Sequence, residues 1–78
     1  MPKFSATLTD TFAGEANYSW VRRAEFETPP GASTRKILAA AKRALSLHYN
    51  FRCTWDAGDE LRFDSPVACV ALYIDLLG

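Results

Sequence analysis

Residues 33 to 49 carry the clearest helical periodicity in the chain, and it is one-sided. Placed at 100° steps, Ile37, Leu38, Ala40, Ala41, Ala44, Leu45, His48 and Tyr49 fill one arc of about 180°. Arg35, Lys36, Lys42, Arg43 and Ser46 fill the other side. Ser33 or Thr34 can cap such a helix at its start, and Asn50 can end it in the left-handed conformation. A single helix with one apolar arc needs one apolar surface to cover, and the rest of the chain reads as strands that could provide it.

Lys3 to Thr9 alternates Phe4, Ala6 and Leu8 with Ser5, Thr7 and Thr9, the period of a half-buried strand. Asp10 to Ala16, with Gly14, reads as a connection, and Asn17 to Thr28 is β-rich enough to pair back as a hairpin. If Ala24 and Phe26 face the core, Arg22 falls on the same side; a bulge at Arg22-Arg23, or a strand end protruding beyond the core, would resolve this. Pro29-Pro30-Gly31 ends the hairpin. After the helix, Phe51, Cys53 and Trp55 alternate with Arg52, Thr54 and Asp56. Ala57 to Glu60 forms a turn, and Leu61 and Phe63 face inward from the next strand with Arg62 and Asp64 outward. The segment 67–77 is either a helix opened by Ser65-Pro66 or a strand with Val70, Leu72 and Ile74 inside and Cys69, Ala71, Tyr73 and Asp75 outside. Its β-branched residues and length favour the strand.

The expected fold is therefore α+β, a single antiparallel sheet of 4–5 strands with one helix packed on one face, in the order β-β-α-β-β-β. At 78 residues it forms one domain, 1–78, close to the smallest size that folds without staples. A hydrophobic fraction of 49% supplies a core and excludes a disordered chain. Trp20, Phe26 and Trp55 are expected in that core, and Tyr73 and Val21 on the uncovered face.

The charges divide along the chain. Residues 33–52 hold Arg35, Lys36, Lys42, Arg43 and Arg52 and no acid. Residues 56–65, DAGDELRFDS, hold Asp56, Asp59, Glu60 and Asp64 against Arg62 alone. With one helix covering one sheet face, the helix side becomes basic. The open face and its hairpin tip become moderately acidic, receiving Glu25, Glu27, Asp56, Asp64 and Asp75 offset by Arg23, Arg52 and Arg62. A solvated helix and charge pairs across a sheet account for any single charge here. They account less well for the complete separation of signs.

No catalytic constellation stands out, so no enzyme activity is expected. Asp59-Glu60 lies in a solvated turn, which gives a carboxyl pair no reason for shifted proton affinity. His48, on the apolar arc, is expected to be buried or half-buried rather than a catalyst or ligand. A zinc site would need two ligands beyond Cys53 and Cys69, and only His48 is offered, so no metal and no cofactor are expected. No secretory leader and no apolar run of roughly 20 residues is present, which points to the cytoplasm, reduced thiols and no membrane contact.

The segment LTDTFAGEANYSWVRR, Leu8 to Arg23, is similar to the opening of small proteins encoded by bacteriophages and mobile elements, and chain size and element order resemble theirs. Several anti-CRISPR proteins have this origin and size. The resemblance implies a non-enzymatic inhibitor acting in a host cell on a Cas effector subunit, a host nucleic-acid-binding protein. One such group blocks type I effectors with an acidic surface that occupies a DNA-binding site. The contact residues follow from the charge reading: Asp56, Asp59, Glu60 and Asp64, helped by Asp10, Glu15 and Asp75. Carboxylates two residues apart on a strand lie about 6.6–6.8 Å apart. Duplex DNA carries one charge per about 3.4 Å of axis on each strand, so mimicry would be partial. The chain is expected to be a monomer that does not itself bind nucleic acid. The alternative is a nucleic-acid-binding accessory protein using Arg35, Lys36, Lys42 and Arg43, with zero net charge against it.

Overall fold

The computed structural model describes residues 1–12, 15–65 and 67–77. The connection expected over Asp10 to Ala16 is shorter than that, since Asp10 to Phe12 extend the first strand and Glu15 and Ala16 open the second, Thr11 pairing with Ala16 and Phe12 with Glu15. Gly14 and the helix-opening role of Pro66 lie outside the described residues. The elements are β1 (Lys3–Phe12), β2 (Glu15–Glu27), α1 (Thr34–Leu45), β3 (Arg52–Asp56), β4 (Glu60–Ser65) and β5 (Val70–Leu76). The strands form one sheet in the order β2-β1-β5-β4-β3, and every neighbouring pair is antiparallel. The expected α+β fold with a single helix is the fold observed.

Alternating apolar residues place Phe4, Ala6 and Leu8 of β1, Leu61 and Phe63 of β4, and Val70, Leu72 and Ile74 of β5 in one buried layer. Ala41 and Leu45 enter this layer from α1, which packs chiefly against β2. Phe4 and Phe26, opposite each other on β1 and β2, stack with centroids 5.4 Å apart. Phe63, Leu8, Leu72 and Ile74 are fully buried, so truncating any one to alanine should cost about 2–5 kcal/mol.

Ser33 caps α1 by accepting a hydrogen bond from the Lys36 amide at 3.3 Å. The helix stops four residues earlier than its apolar arc suggests. Ser46 adopts the left-handed conformation at φ 57°, its amide bonds to Arg43 O, and the Leu47 amide bonds to Lys42 O. This is a Schellman ending, in which the residue beyond the turn packs back on the helix. Leu47 is accordingly buried, and Tyr49 and Phe51 pack against the core from an irregular segment. His48 points out and is exposed, contrary to its position on the arc.

Arg22 does face the helix side, without a bulge at Arg22-Arg23: Leu8 pairs with Arg22 and Thr7 with Arg23 in unbroken register. Its guanidinium donates to the carbonyl of Leu45 at 2.7 Å. An arginine on the core side is satisfied because the helix C-terminus, with its unpaired carbonyls and negative dipole end, lies above it.

The irregularity of the first hairpin lies instead at Asp10, where the register slips between Thr9 and Thr11. Asn17 to Trp20 on β2 stand against Asp10 alone on β1, three residues in excess, and Tyr18 takes φ 56° there. A second slip, between Cys53 and Trp55, interrupts β3. Segment 67–77 resolves into a turn at 67–69, which holds the exposed Cys69, and strand β5, with Tyr73 and Asp75 on the open side as expected. Ala71 shares their parity but is fully buried, as is Thr9 opposite it.

An open sheet face with an acidic row and an aromatic depression

α1 covers one side of the sheet, so residues of opposite parity form the open face. The register aligns them in rows that cross all the strands. The first row reads Glu25, Ser5, Asp75, Glu60 across β2, β1, β5 and β4. The second reads Arg23, Thr7, Tyr73, Arg62, Trp55. The third reads Val21, Thr9, Ala71, Asp64, Arg52. Neighbours within a row are about 4.7–4.9 Å apart, and alternate residues along a strand about 6.6–6.8 Å.

In the first row, Asp75 and Glu60 are directly opposite each other, and among the described residues neither side chain has an ion pair. Glu25, at the far end, pairs with Lys3 at 3.0 Å, with both side chains more than half exposed. Such a pair is worth at most about 1 kcal/mol. Asp59 adjoins the row, its carbonyl accepting from the Leu76 amide at 2.8 Å. This end of the sheet is the acidic one.

The second and third rows are tied together at Arg62. Its Nε and Nη2 each lie 3.1 Å from a different oxygen of Asp64, a bidentate pair. Thr54 Oγ1 also donates to Asp64. The Arg62 guanidinium carbon sits 5.4 Å from the Tyr73 ring centroid, a cation–π distance. Burial first, and then a hydrogen bond with the Tyr18 phenol, push the Tyr73 hydroxyl above its ordinary pKa. Thr54, Trp55, Glu60, Arg62, Asp64 and Tyr73 line an open depression of about 500 Å³.

The expected contact residues divide accordingly. Glu60 and Asp75 come together, and Asp59 precedes Glu60 in the turn with only its backbone tied to β5. Asp64 shares their face but is engaged by Arg62 and Thr54. Asp56, expected on the open face, is turned to the other side, because the Thr54 bulge shifts the parity of β3; it pairs across from Leu61 and accepts from the Gly58 amide at 2.8 Å. Asp10 and Glu15 lie toward the opposite end of the sheet. Asp10 holds the first bulge: its carboxylate accepts from Ser19 Oγ at 2.6 Å, from the Ser19 amide at 2.9 Å and from Asn17 Nδ2 at 2.9 Å. The Ser19 hydroxyl, followed by Asn17, brings its pKa down to about 2. Asp10 is thus a staple of the β1–β2 hairpin.

The same β3 bulge corrects a further expectation: Trp55 lies on the open face at 57% exposure rather than in the core. Cys53, before the bulge, faces the helix side and is exposed. All five residues of β3 are exposed, since the strand forms the sheet edge farthest from α1. Trp20, in the first bulge, is 42% exposed. Glu25 belongs to the acidic row but was not among the expected contacts; its parity with Asp75 through Ser5 marks it once β1 is known to lie between β2 and β5.

Arg35, Lys36 and Arg43 are exposed and Lys42 is half-buried on α1, behind the sheet. Among the described residues, no ion pair joins these four to a carboxylate of the 56–64 hairpin; the ion pairs are Lys3–Glu25 and Arg62–Asp64. Among those same residues no helix is long and apolar enough to cross a membrane, and no three His, Cys, Asp or Glu side chains gather to hold a metal ion. No protein-family model, curated protein or solved structure matches this chain.

Proposed function

We propose that this protein is a non-enzymatic inhibitor of the anti-CRISPR kind, which binds a nucleic-acid-guided effector and keeps target DNA off it by laying its acidic sheet end on the DNA-binding surface. One observation carries the reading: Glu25, Asp75 and Glu60 share a row of the open face, and Asp75 directly opposes Glu60 with no ion pair to either among the described residues. Like charges directly opposite each other destabilise a sheet. A partner that inserts arginine and lysine side chains between them turns that repulsion into bidentate attraction. From the strand spacing, the backbones at Asp75 and Glu60 stand about 5 Å apart and those at Asp75 and Glu25 about 10 Å apart. Cations arranged to grip a phosphate backbone can meet such a row.

The test is target-DNA binding by a purified type I effector complex with increasing amounts of this protein. The wild type should abolish DNA binding, with association slowed by salt. The E60K/D75K double variant, folded by circular dichroism, should not inhibit. Equal inhibition by the double variant, or none by the wild type, rejects the proposal.

A second reading, nucleic-acid binding by Arg35, Lys36, Lys42 and Arg43, draws on four helix cations with no ion pair among the described residues. A low-salt gel shift with duplex and single-stranded DNA tests it. A shift that disappears on reversing these four charges supports it, and the absence of a shift at micromolar protein removes it.

A further inference from the structure

We propose that the depression between Trp55 and Tyr73 is the seat of a single arginine side chain of the protein partner. This rests on the protein-docking reading above and adds the anchor that reading lacks. Trp55 stands more than half exposed in the second row, where it contributes little to the core. Its neighbours across the sheet are Arg62 and then Tyr73, and Glu60 lies two residues from Arg62 on the same side of β4. Arg62 already rests against the Tyr73 ring with its charge taken up by the bidentate bond to Asp64. Among the described residues the Glu60 carboxylate has no such partner, and neither has Asp75 across from it.

A ligand entering the depression therefore meets Trp55, the Arg62–Asp64 pair whose charges offset each other, and the Glu60 carboxylate, which has no ion pair among the described residues. Asp75 stands across from Glu60 outside the lining. That combination selects a cation. It disfavours a nucleotide: a base could stack on Trp55, but its phosphates would approach Glu60 and Asp75. Between the two protein cations, arginine fits better. Its planar guanidinium stacks on an aromatic ring while offering paired N–H groups to a carboxylate, and its weaker hydration makes transfer from water easier than for an ammonium. Stacking on Trp55 combined with a fork onto Glu60 repeats, one position along the row, the arrangement that Arg62 makes with Tyr73 and Asp64.

The experiment uses the intact chain with nona-arginine and nona-lysine peptides at low salt. Affinity is read by anisotropy of labelled peptide, and location by the two indole N–H resonances, assigned with Trp55→Ala. Nona-arginine should move the Trp55 resonance, leave that of Trp20 in place, and bind more tightly than nona-lysine. Trp55→Ala should weaken it about five-fold, the size of a partly desolvated cation–π contact. E60K/D75K should abolish binding. If charge reversal abolishes binding while Trp55→Ala binds as the wild type does, the arginine seat is wrong and acidic docking stands. If the wild type binds neither peptide, both fall. Equal affinity for the two peptides overturns the choice of arginine. A Trp55 shift caused by an oligothymidine, or by raising the concentration of the protein alone, overturns the proposal in favour of a nucleobase or a second copy of the chain.

Discussion

Glu60 and Asp75 face each other across β4 and β5 on the open side of the sheet, two carboxylates in register with no ion pair among the described residues. Removing either charge should relieve a cross-strand repulsion of about 0.2–1 kcal/mol. For a domain of this size that raises the melting temperature by roughly 1–8 °C. Glu60→Gln and Asp75→Asn should therefore each be more stable than the wild type in thermal melts at neutral pH and low salt, and each should inhibit less well. A variant that gains stability and keeps full inhibition would place the docking surface elsewhere.

Asp10 predicts an acid limb in stability. Its folded pKa is about 2 against an ordinary 3.8, because Ser19 and Asn17 donate to the charged form. A depressed carboxylate stabilises the fold above its unfolded pKa and loses that contribution as pH falls through the folded value. The wild type should accordingly be more stable than Asp10→Asn at neutral pH, with the difference constant down to about pH 4 and shrinking between about pH 4 and 2. Melts of both proteins across that range measure it.

Ser46 occupies a left-handed position at φ 57°, where a Cβ is unfavourable. Glycine there keeps both Schellman hydrogen bonds and removes the strain. Ser46→Gly should stabilise by about 0.5 kcal/mol after the extra chain entropy of glycine is counted. Urea denaturation should show a raised midpoint with an unchanged slope.

Ser65 is buried at the end of β4 with no hydrogen-bond partner for its hydroxyl among the described residues. An unsatisfied buried hydroxyl costs about 1–3 kcal/mol. Ser65→Ala should stabilise by about 1 kcal/mol in the same denaturation experiment. A loss of stability would mean that the hydroxyl is satisfied in solution.

Local patterns carried most of the architecture. Alternation at Phe4-Ala6-Leu8 and Leu61-Phe63 marked strands, because a half-buried strand must repeat every second residue. Ser33 and the apolar arc of residues 37–45 marked the helix, because capping and the 3.6-residue turn act within a few residues of chain. The arc ran on to Tyr49 because Leu47 packs back on the helix after the Ser46 turn, and apolar spacing alone does not distinguish that from another helical turn.

A helix with its cations on one side, and strands whose alternation leaves one sheet face uncovered, were legible in the residues alone. The tertiary structure decided which acids stand together and where the aromatic rings point. The row Glu25-Ser5-Asp75-Glu60 exists because β5 returns to pair with β1, a pairing of residues some seventy positions apart. Trp55 faces outward because one extra residue at Thr54 reverses the parity of the strand beyond it. Side-chain parity is inherited from residue to residue only until the ladder slips, and whether it slips is settled by the partner strand.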